Sequence, residues 1–206
     1  NSINIFLYEK SKTLENIQKN KLKFKKIKWI KNFNSIKKGP IIFLGNEFFD
    51  AIPIKQFKNE KNILFEKYYT LDENKKIKEV YKKVSKKDAI YINSYKSLKK
   101  LKFIEFPKYG LSELKKISKK ILKLKGCLLL IDYGYLKPNN QNTLQSVINH
   151  KKNNLLNNLG KADITSHVNF KLLSEFLIKN NLKVEKVVPQ QKFLKNMGII
   201  ERAEII

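Results

Sequence analysis

Two short acidic stretches, each following an apolar run, hold the residues whose types could do chemistry. The first is Gly45-Asn46-Glu47-Phe48-Phe49-Asp50-Ala51-Ile52-Pro53, after Ile41-Ile42-Phe43-Leu44. The second is Asp132-Tyr133-Gly134-Tyr135, after Cys127-Leu128-Leu129-Leu130-Ile131. Short β-rich apolar runs read as fully buried strands, and open α/β sheets bind ligands beyond the carboxyl ends of their strands. Both runs are therefore expected to feed one site. Glu47 and Asp50, with Asn46 beside them, suit a guanidinium, whose rigid donors match carboxylate oxygens. Asp132 and Tyr133 join them from the neighbouring strand. The plainer alternative is that Asp50 or Asn46 caps a turn while Phe48 and Phe49 fill the core.

Glu9, at the end of the apolar run Ile3–Tyr8, is a third candidate. An acid at the tip of an early strand suits the two hydroxyls of a ribose, although a solvated turn residue is the commoner outcome. Asp163 and His167 are four apart, so one orients the other if that turn is helical. A metal site is not expected, because Cys127 is the only cysteine and His150 the only other histidine, with no ligand spacing between them. Cys127 itself, inside an apolar strand, reads as a buried, inert thiol. No Gly-rich phosphate loop occurs.

These residues need a scaffold, and the chain offers alternating strands and helices. Ser11 caps a helix carrying Leu14, Ile17 and Gln18 before Leu22. Lys23 to Trp29 reads as a short strand. One helical turn at 48–52 is stopped by Pro53. Hairpins at about 54–103 read as an antiparallel insertion or flap, with strands at Asn62–Tyr69 and Ile77–Val84 around the turn 71–74. Leu111, Leu114, Ile117, Ile121 and Leu124 share a helix face, ended by Gly126. A polar loop is expected over 137–161, then a helix at 171–179, a strand at 182–188 and a helical piece at 193–197. Buried strands alternating with helices imply an α/β domain with a mostly parallel sheet in three layers.

The composition excludes little but guards against one inference. A net charge of +26 in 206 residues suggests nucleic acid, yet Arg202 is the single arginine among 44 basic residues. Nucleic-acid readers favour arginine; lysines spread along a chain rich in Asn and Ile match an AT-rich coding bias instead. Nucleic acid is therefore not the expected partner. No apolar run is long enough to span a membrane.

Taken in order, several stretches resemble the MidA-like family of class I S-adenosylmethionine-dependent methyltransferases, described as protein arginine methyltransferases and assembly factors of mitochondrial respiratory complex I. They include Leu7-Tyr8-Glu9-Lys10-Ser11 with Leu14, Ile17, Gln18 and Trp29, and Gly45 through Ile54 with Gln56-Phe57. Ile104-Glu105 with Pro107, Leu130 through Tyr135, and Thr143 through Ser146 with His150 follow. Gly160 through Phe170, then Gln191, Phe193-Leu194, Gly198-Ile199 and Arg202 complete the pattern. The resemblance implies a Rossmann-like methyltransferase fold with a hairpin insertion and S-adenosyl-L-methionine as cofactor. It implies Glu9 on the ribose and Asn46-Glu47 beside the methyl donor, with Ser11 and Trp29 expected on the cofactor side. For the transfer itself, Glu47 and Asp50 are expected to clamp the guanidinium, with Asp132 or His167 accepting the departing proton. Phe49, Tyr133 and Asp163 are expected to line the substrate side. Asn169 stands where the family usually has an acid. The family's Gly-rich loop is expected before Asn1 and its closing strand beyond Ile206, so residues 1–206 read as part of a methyltransferase domain. A protein substrate, a complex I subunit, follows from the resemblance, in the mitochondrial matrix of a eukaryote or the cytoplasm of a bacterium. An RNA methyltransferase and a non-catalytic assembly protein are the alternatives. The sequence does not give the oligomeric state.

Overall fold

The computed structural model describes residues 3–23 and 26–205. The chain is α/β with mixed strands. It runs β1 (Ile5–Tyr8), α1 (Lys12–Lys21), β2 (Ile27–Ile30), β3 (Ile41–Asn46), β4 (Lys55–Glu60), β5 (Ile63–Leu71) and β6 (Ile77–Lys83). Next come α2 (Lys86–Asn93), β7 (Phe103–Phe106), α3 (Lys108–Leu124), β8 (Gly126–Ile131), β9 (Gly134–Tyr135), β10 (Gln145–Ile148) and β11 (Lys151–Asn153). β12 (Asp163–Thr165), β13 (Val168–Asn169), α4 (Phe170–Lys179), α5 (Gln190–Asn196) and α6 (Ile199–Ala203) complete it. Of the strand expected from Lys23 to Trp29, Phe24 and Lys25 lie outside the described residues, Lys26 is in a turn, and β2 covers only Ile27 to Trp29 of it before ending at Ile30.

The described strands do not make one continuous parallel sheet. β1 pairs with β2 and β3 with β8, both in parallel. The two pairs are not hydrogen-bonded to each other. Side chains join them instead: the Phe33 ring lies 4.6 Å from Tyr8 and 5.3 Å from Phe43. Ile117 and Ile121 of α3 pack under this junction with Ile30, Phe33 and Ile36.

The larger core belongs to the segment expected as a flap. β6-β5-β4-β7 form an antiparallel sheet, which buries Phe57, Leu64, Ile104 and Phe106 against Leu111 and Leu114 of α3 and Leu172 and Phe176 of α4. The segment is thus a wall of the molecule. It also contains α2, capped by Ser85, where only hairpins were expected.

Several expectations about burial and strand content are corrected. β3 and β8 are strands but are not fully buried: Ile42 is 75% and Leu44 68% exposed, and Cys127 is exposed too. Burial depends on what packs against a strand face, and among the described residues nothing covers this one. Leu14 and Ile17 of α1 are exposed in the same way. The stretch 182–188 is irregular rather than a strand, because no described segment pairs with it; an apolar groove of about 730 Å³ lies between it and β8. The loop at 137–161 is not structureless: β10, β11 and β12 form a small antiparallel sheet. Its hairpin turns through Asn149 and His150, both left-handed (φ 49° and 60°), as a two-residue primed turn requires. Asp163 begins β12, so the helical i, i+4 relation to His167 does not exist.

Candidate functional site

β3 and β8 run in register from Ile41↔Gly126 to Asn46↔Ile131, so their carboxyl ends finish side by side. The ladder continues one step, with the Glu47 N–H donating to the Ile131 carbonyl at 2.9 Å. Gly45 permits the close approach: a Cβ there would sit 3.0 Å from a Leu130 methyl and 3.2 Å from Phe48 Cβ. Glu47 then adopts φ 49°, a left-handed conformation that costs a non-glycine residue about 1 kcal/mol. This bend turns the chain across the tip of β8.

Asp132 secures the turn. Its Oδ2 accepts from the N–H groups of Phe49 (2.9 Å) and Asp50 (3.3 Å), and its Oδ1 from the N–H of Tyr133 (3.0 Å). The expected meeting of Glu47, Asp50, Asp132 and Tyr133 is therefore present in the structure. Asp132 is occupied with backbone donors, a different position from that of a free proton acceptor. Phe49 is only 4% exposed and packs in the larger core beside Gly110, so its ring does not line a substrate surface.

The electrostatics of this cluster are set by burial and by like charges. Among the described residues, no lysine or arginine forms a salt bridge with Glu47, Asp50 or Asp132. Asp50 is 4% exposed, and its Oδ1 is buried without a hydrogen-bond partner. Burial, then the negative charge of Asp50, raises the Asp132 carboxyl above its ordinary range, against the pull of the backbone N–H groups it accepts. Burial and the neighbouring Asp50 and Glu47 charges likewise raise the Tyr133 hydroxyl. The arrangement is one that a cation would relieve.

Glu9 lies at the tip of β1, where Ser11 N–H (2.8 Å) and Gln18 Nε2 (3.3 Å) each take one of its oxygens. Gln18 Oε1 in turn accepts from the Trp29 indole at 3.0 Å. Each Glu9 oxygen keeps a free lone pair, so the carboxylate is oriented and still able to accept from a vicinal diol. These residues fit the ribose of a nucleoside cofactor. The Ser11 hydroxyl is committed to capping α1 through the Leu14 N–H, so Ser11 serves Glu9 through its backbone. Sequence reasoning placed Gln18 on a helix without a role; its spacing from Glu9 and Trp29 is the missed signal.

Asp163 and His167 are exposed and stand apart from the carboxylates as side chains. The backbone of their segment does reach the site: Ser166 N–H donates to the Asp50 carbonyl and Val168 N–H to the Tyr133 carbonyl, both at 2.9 Å. Asn169 caps α4 through Oδ1, and its Nδ2 is buried without a partner. Burial, then the Glu105 charge, pushes the nearby Tyr135 hydroxyl up to about 12. Among the described residues, no group of His, Cys, Asp and Glu is placed to hold a metal ion, and no helix is long and apolar enough to cross a membrane.

Residues 1–188 match the family described as "Putative S-adenosyl-L-methionine-dependent methyltransferase". The chain belongs to this MidA-like methyltransferase family. The family's cofactor is S-adenosyl-L-methionine. A mitochondrial protein arginine methyltransferase NDUFAF7 homolog of Caenorhabditis elegans is 30% identical over 98% of this chain and 46% of its own length. The mitochondrial protein arginine methyltransferase NDUFAF7 of Homo sapiens is 25% identical over 87% of this chain and 40% of its own. The chain thus spans less than half the length of these curated relatives. A superfamily member from Burkholderia thailandensis, solved with S-adenosyl-homocysteine, superposes with a TM-score of 0.79 at 17% identity, covering 98% of this chain and 55% of that one. The likeness shows that this chain shares the α/β fold of that structure.

Proposed function

We propose that the chain serves S-adenosyl-L-methionine-dependent methylation of an arginine side chain in a protein. The observation that carries this reading is the uncompensated acidic cluster, with the buried Asp50 Oδ1 at its centre, in a chain of net charge +26. Carboxylates gathered at one strand-tip site without a cation suit one that arrives with the substrate. The relatives' names favour an arginine, and a guanidinium has the planar donor set that two carboxylates match. Within this reading the two parallel pairs are parts of a Rossmann-like, three-layer class I sheet. A complex I subunit is the proposed substrate and its assembly the purpose, in the mitochondrial matrix of a eukaryote or the cytoplasm of a bacterium.

The residues then divide the work. Glu9, held by Ser11 and Gln18, accepts the ribose hydroxyls, with Trp29 and Asn46 on the same side. When bound, the cofactor supplies a methyl group on a sulfonium, and in-line displacement makes alignment the main task. Glu47 and Asp50 clamp the guanidinium and draw its positive charge away from the attacking nitrogen. Asp132 keeps both in place by fixing the turn. As the nitrogen gains its methyl group it loses a proton, which passes to the carboxylate clamp. Tyr133 borders the cation.

Calorimetric titration of S-adenosyl-homocysteine into the full chain tests the cofactor half, with binding expected in the wild type and lost in Glu9→Ala. Methyl incorporation tests the other half: Glu47→Gln is expected to retain cofactor binding and lose at least about 100-fold in rate. A Glu47→Gln protein that methylates at the wild-type rate would overturn the clamp.

A further inference from the structure

Three consecutive backbone N–H groups tie the acidic site together. Ser166 donates to the Asp50 carbonyl, Val168 to the Tyr133 carbonyl, and His167, between them, to Thr143 Oγ1 at 3.0 Å. Two of these acceptors are backbone atoms of the site itself. The third is a rotatable hydroxyl, whose direction must be set by something else.

Glu105 of β7 sets it. This carboxylate is 7% exposed and accepts from Gln56 Nε2 (3.0 Å), Thr143 N–H (3.1 Å), Leu144 N–H (3.2 Å) and the Thr143 hydroxyl (2.5 Å). Gln56 is its cross-strand partner on β4 and also donates to Asn142 at 2.7 Å. A buried carboxylate ordinarily needs a cation. Among the described residues these donors satisfy it without a salt bridge. The Thr143 hydroxyl has a single proton; with that proton committed to Glu105, its lone pairs are left for the His167 N–H.

We propose that Glu105 is a positioning residue for the acidic site: it orients Thr143, which anchors the strap Ser166–Val168, which in turn holds the backbone of Asp50 and Tyr133. Glu105 touches neither substrate nor cofactor; it acts from the antiparallel wall through one threonine. The kinetic part of this proposal rests on the methyl-transfer reading, whereas the structural part does not.

Two near-isosteric substitutions at Thr143 separate positioning from packing. Thr143→Val keeps the shape and removes the hydroxyl; Thr143→Ser keeps the hydroxyl and removes the methyl group. In the full chain, Thr143→Val is expected to speed amide hydrogen exchange at residues 166–168 about tenfold. It is also expected to lower kcat by about 10–100-fold, with S-adenosyl-homocysteine affinity unchanged. Thr143→Ser restores both to near wild type, and Glu105→Gln, which keeps the bulk but has one acceptor oxygen, follows the valine variant. The proposal is overturned if valine behaves as wild type while serine does not, or if faster exchange stays confined to residues 143–145. If the wild-type full chain neither binds S-adenosyl-homocysteine nor transfers a methyl group, the methyl-transfer reading fails, and the exchange pattern alone decides the positioning role.

Discussion

Two groups of carboxylates in this chain have opposite surroundings. Around α1 and α3, acids are saturated with cations. Glu15 is paired with Lys19 at 2.7 Å and with Lys31. Glu113, with its side chain 2% exposed, accepts from Lys116 (2.9 Å), Lys10 (3.4 Å) and the Tyr8 hydroxyl (3.1 Å). At the tips of β3 and β8, Glu47, Asp50 and Asp132 have no lysine or arginine partner among the described residues. The titration directions differ accordingly. Hydrogen bonds from Lys19 and Lys31 lower the Glu15 carboxyl to about 2. Burial works to raise Glu113, but Lys116 and Lys10 outweigh it and hold the group low. Asp132, with burial and Asp50 acting on it, goes up. A paired acid such as Glu113 is a structural tie, and so is a buried acid satisfied by hydrogen-bond donors, as Glu105 is; under the proposed function, the acids at the strand tips are instead capacity held for the substrate cation.

The strongest way to break the comparison is to convert one group into the other. Tyr133→Lys places an ammonium beside Glu47 and Asp50, giving the site the internal partner that Glu15 already has. Methyl transfer is expected to fall at least about 100-fold, because the substrate cation now competes with a tethered one. Stability should move the opposite way, with a gain of about 0.5–1 kcal/mol, or about 1–4 °C in Tm. A variant that is no more stable and still active would show that the carboxylates do not sense a cation at this position. Differential scanning calorimetry and a radiolabelled methyl assay give both readings.

The reverse change belongs on the saturated side. Glu113→Gln removes the charge that Lys10, Lys116 and Tyr8 share, and is expected to cost about 1–3 kcal/mol, or roughly 2–10 °C in Tm. Because the two lysines are about half exposed and return to water, the loss should stay below that of stranding a buried cation. The kcat of the folded protein should be little changed. An unchanged Tm would remove Glu113 from the structural class.

How far this contrast was legible beforehand depends on which interaction is asked about. The strand-tip location of Asn46, Glu47, Asp50, Asp132 and Tyr133 followed from apolar runs and polar ends. The α3 spacing and the Ser11 cap followed from local rules as well. Exposure of Ile42, Leu44 and Cys127 did not, since burial is a property of the neighbour and no periodicity encodes it. β10, β11 and β12 are three or four residues each with no clean alternation, so an Asn-rich stretch read as loop. The stretch 182–188 has the composition of a strand but lacks the ladder that defines one. Glu105 carried a usable signal that was overlooked. An acid inside Phe103-Ile104-Glu105-Phe106 must be buried and satisfied if that run is a strand.

Acid titration sharpens the contrast through the sign of a slope. Glu15 ionises at about 2 in the folded chain, so its contribution is present above the ordinary carboxylate range and is lost as the pH falls toward 2. The stability of wild type relative to Glu15→Gln should therefore shrink on acidification. Asp132 is raised, so the folded chain takes up its proton first; the stability of wild type relative to Asp132→Asn should grow as the pH falls through that raised value. Urea unfolding of the three proteins from pH 7 to pH 2 reads both slopes. Slopes of the same sign would mean that the two groups of acids are not electrostatically distinct.

The smallest effect is expected from a site that belongs to neither group. Asn149 and His150 hold the two central positions of the β10–β11 turn, both left-handed, and a primed turn favours Asn followed by Gly. His150→Gly relieves the β-carbon strain at φ 60° while adding freedom to the unfolded chain. The expected net gain is about 0.5 kcal/mol, or about 1–2 °C in Tm. Neither the unpaired acids nor their strap should notice, because the strap is anchored by Thr143, on the other side of β10 from the turn. A fall in kcat with this gain in Tm would place the hairpin within the acidic site's support and widen the region that Glu105 has to organise. An unchanged kcat confines that support to Glu105, Thr143 and residues 166–168.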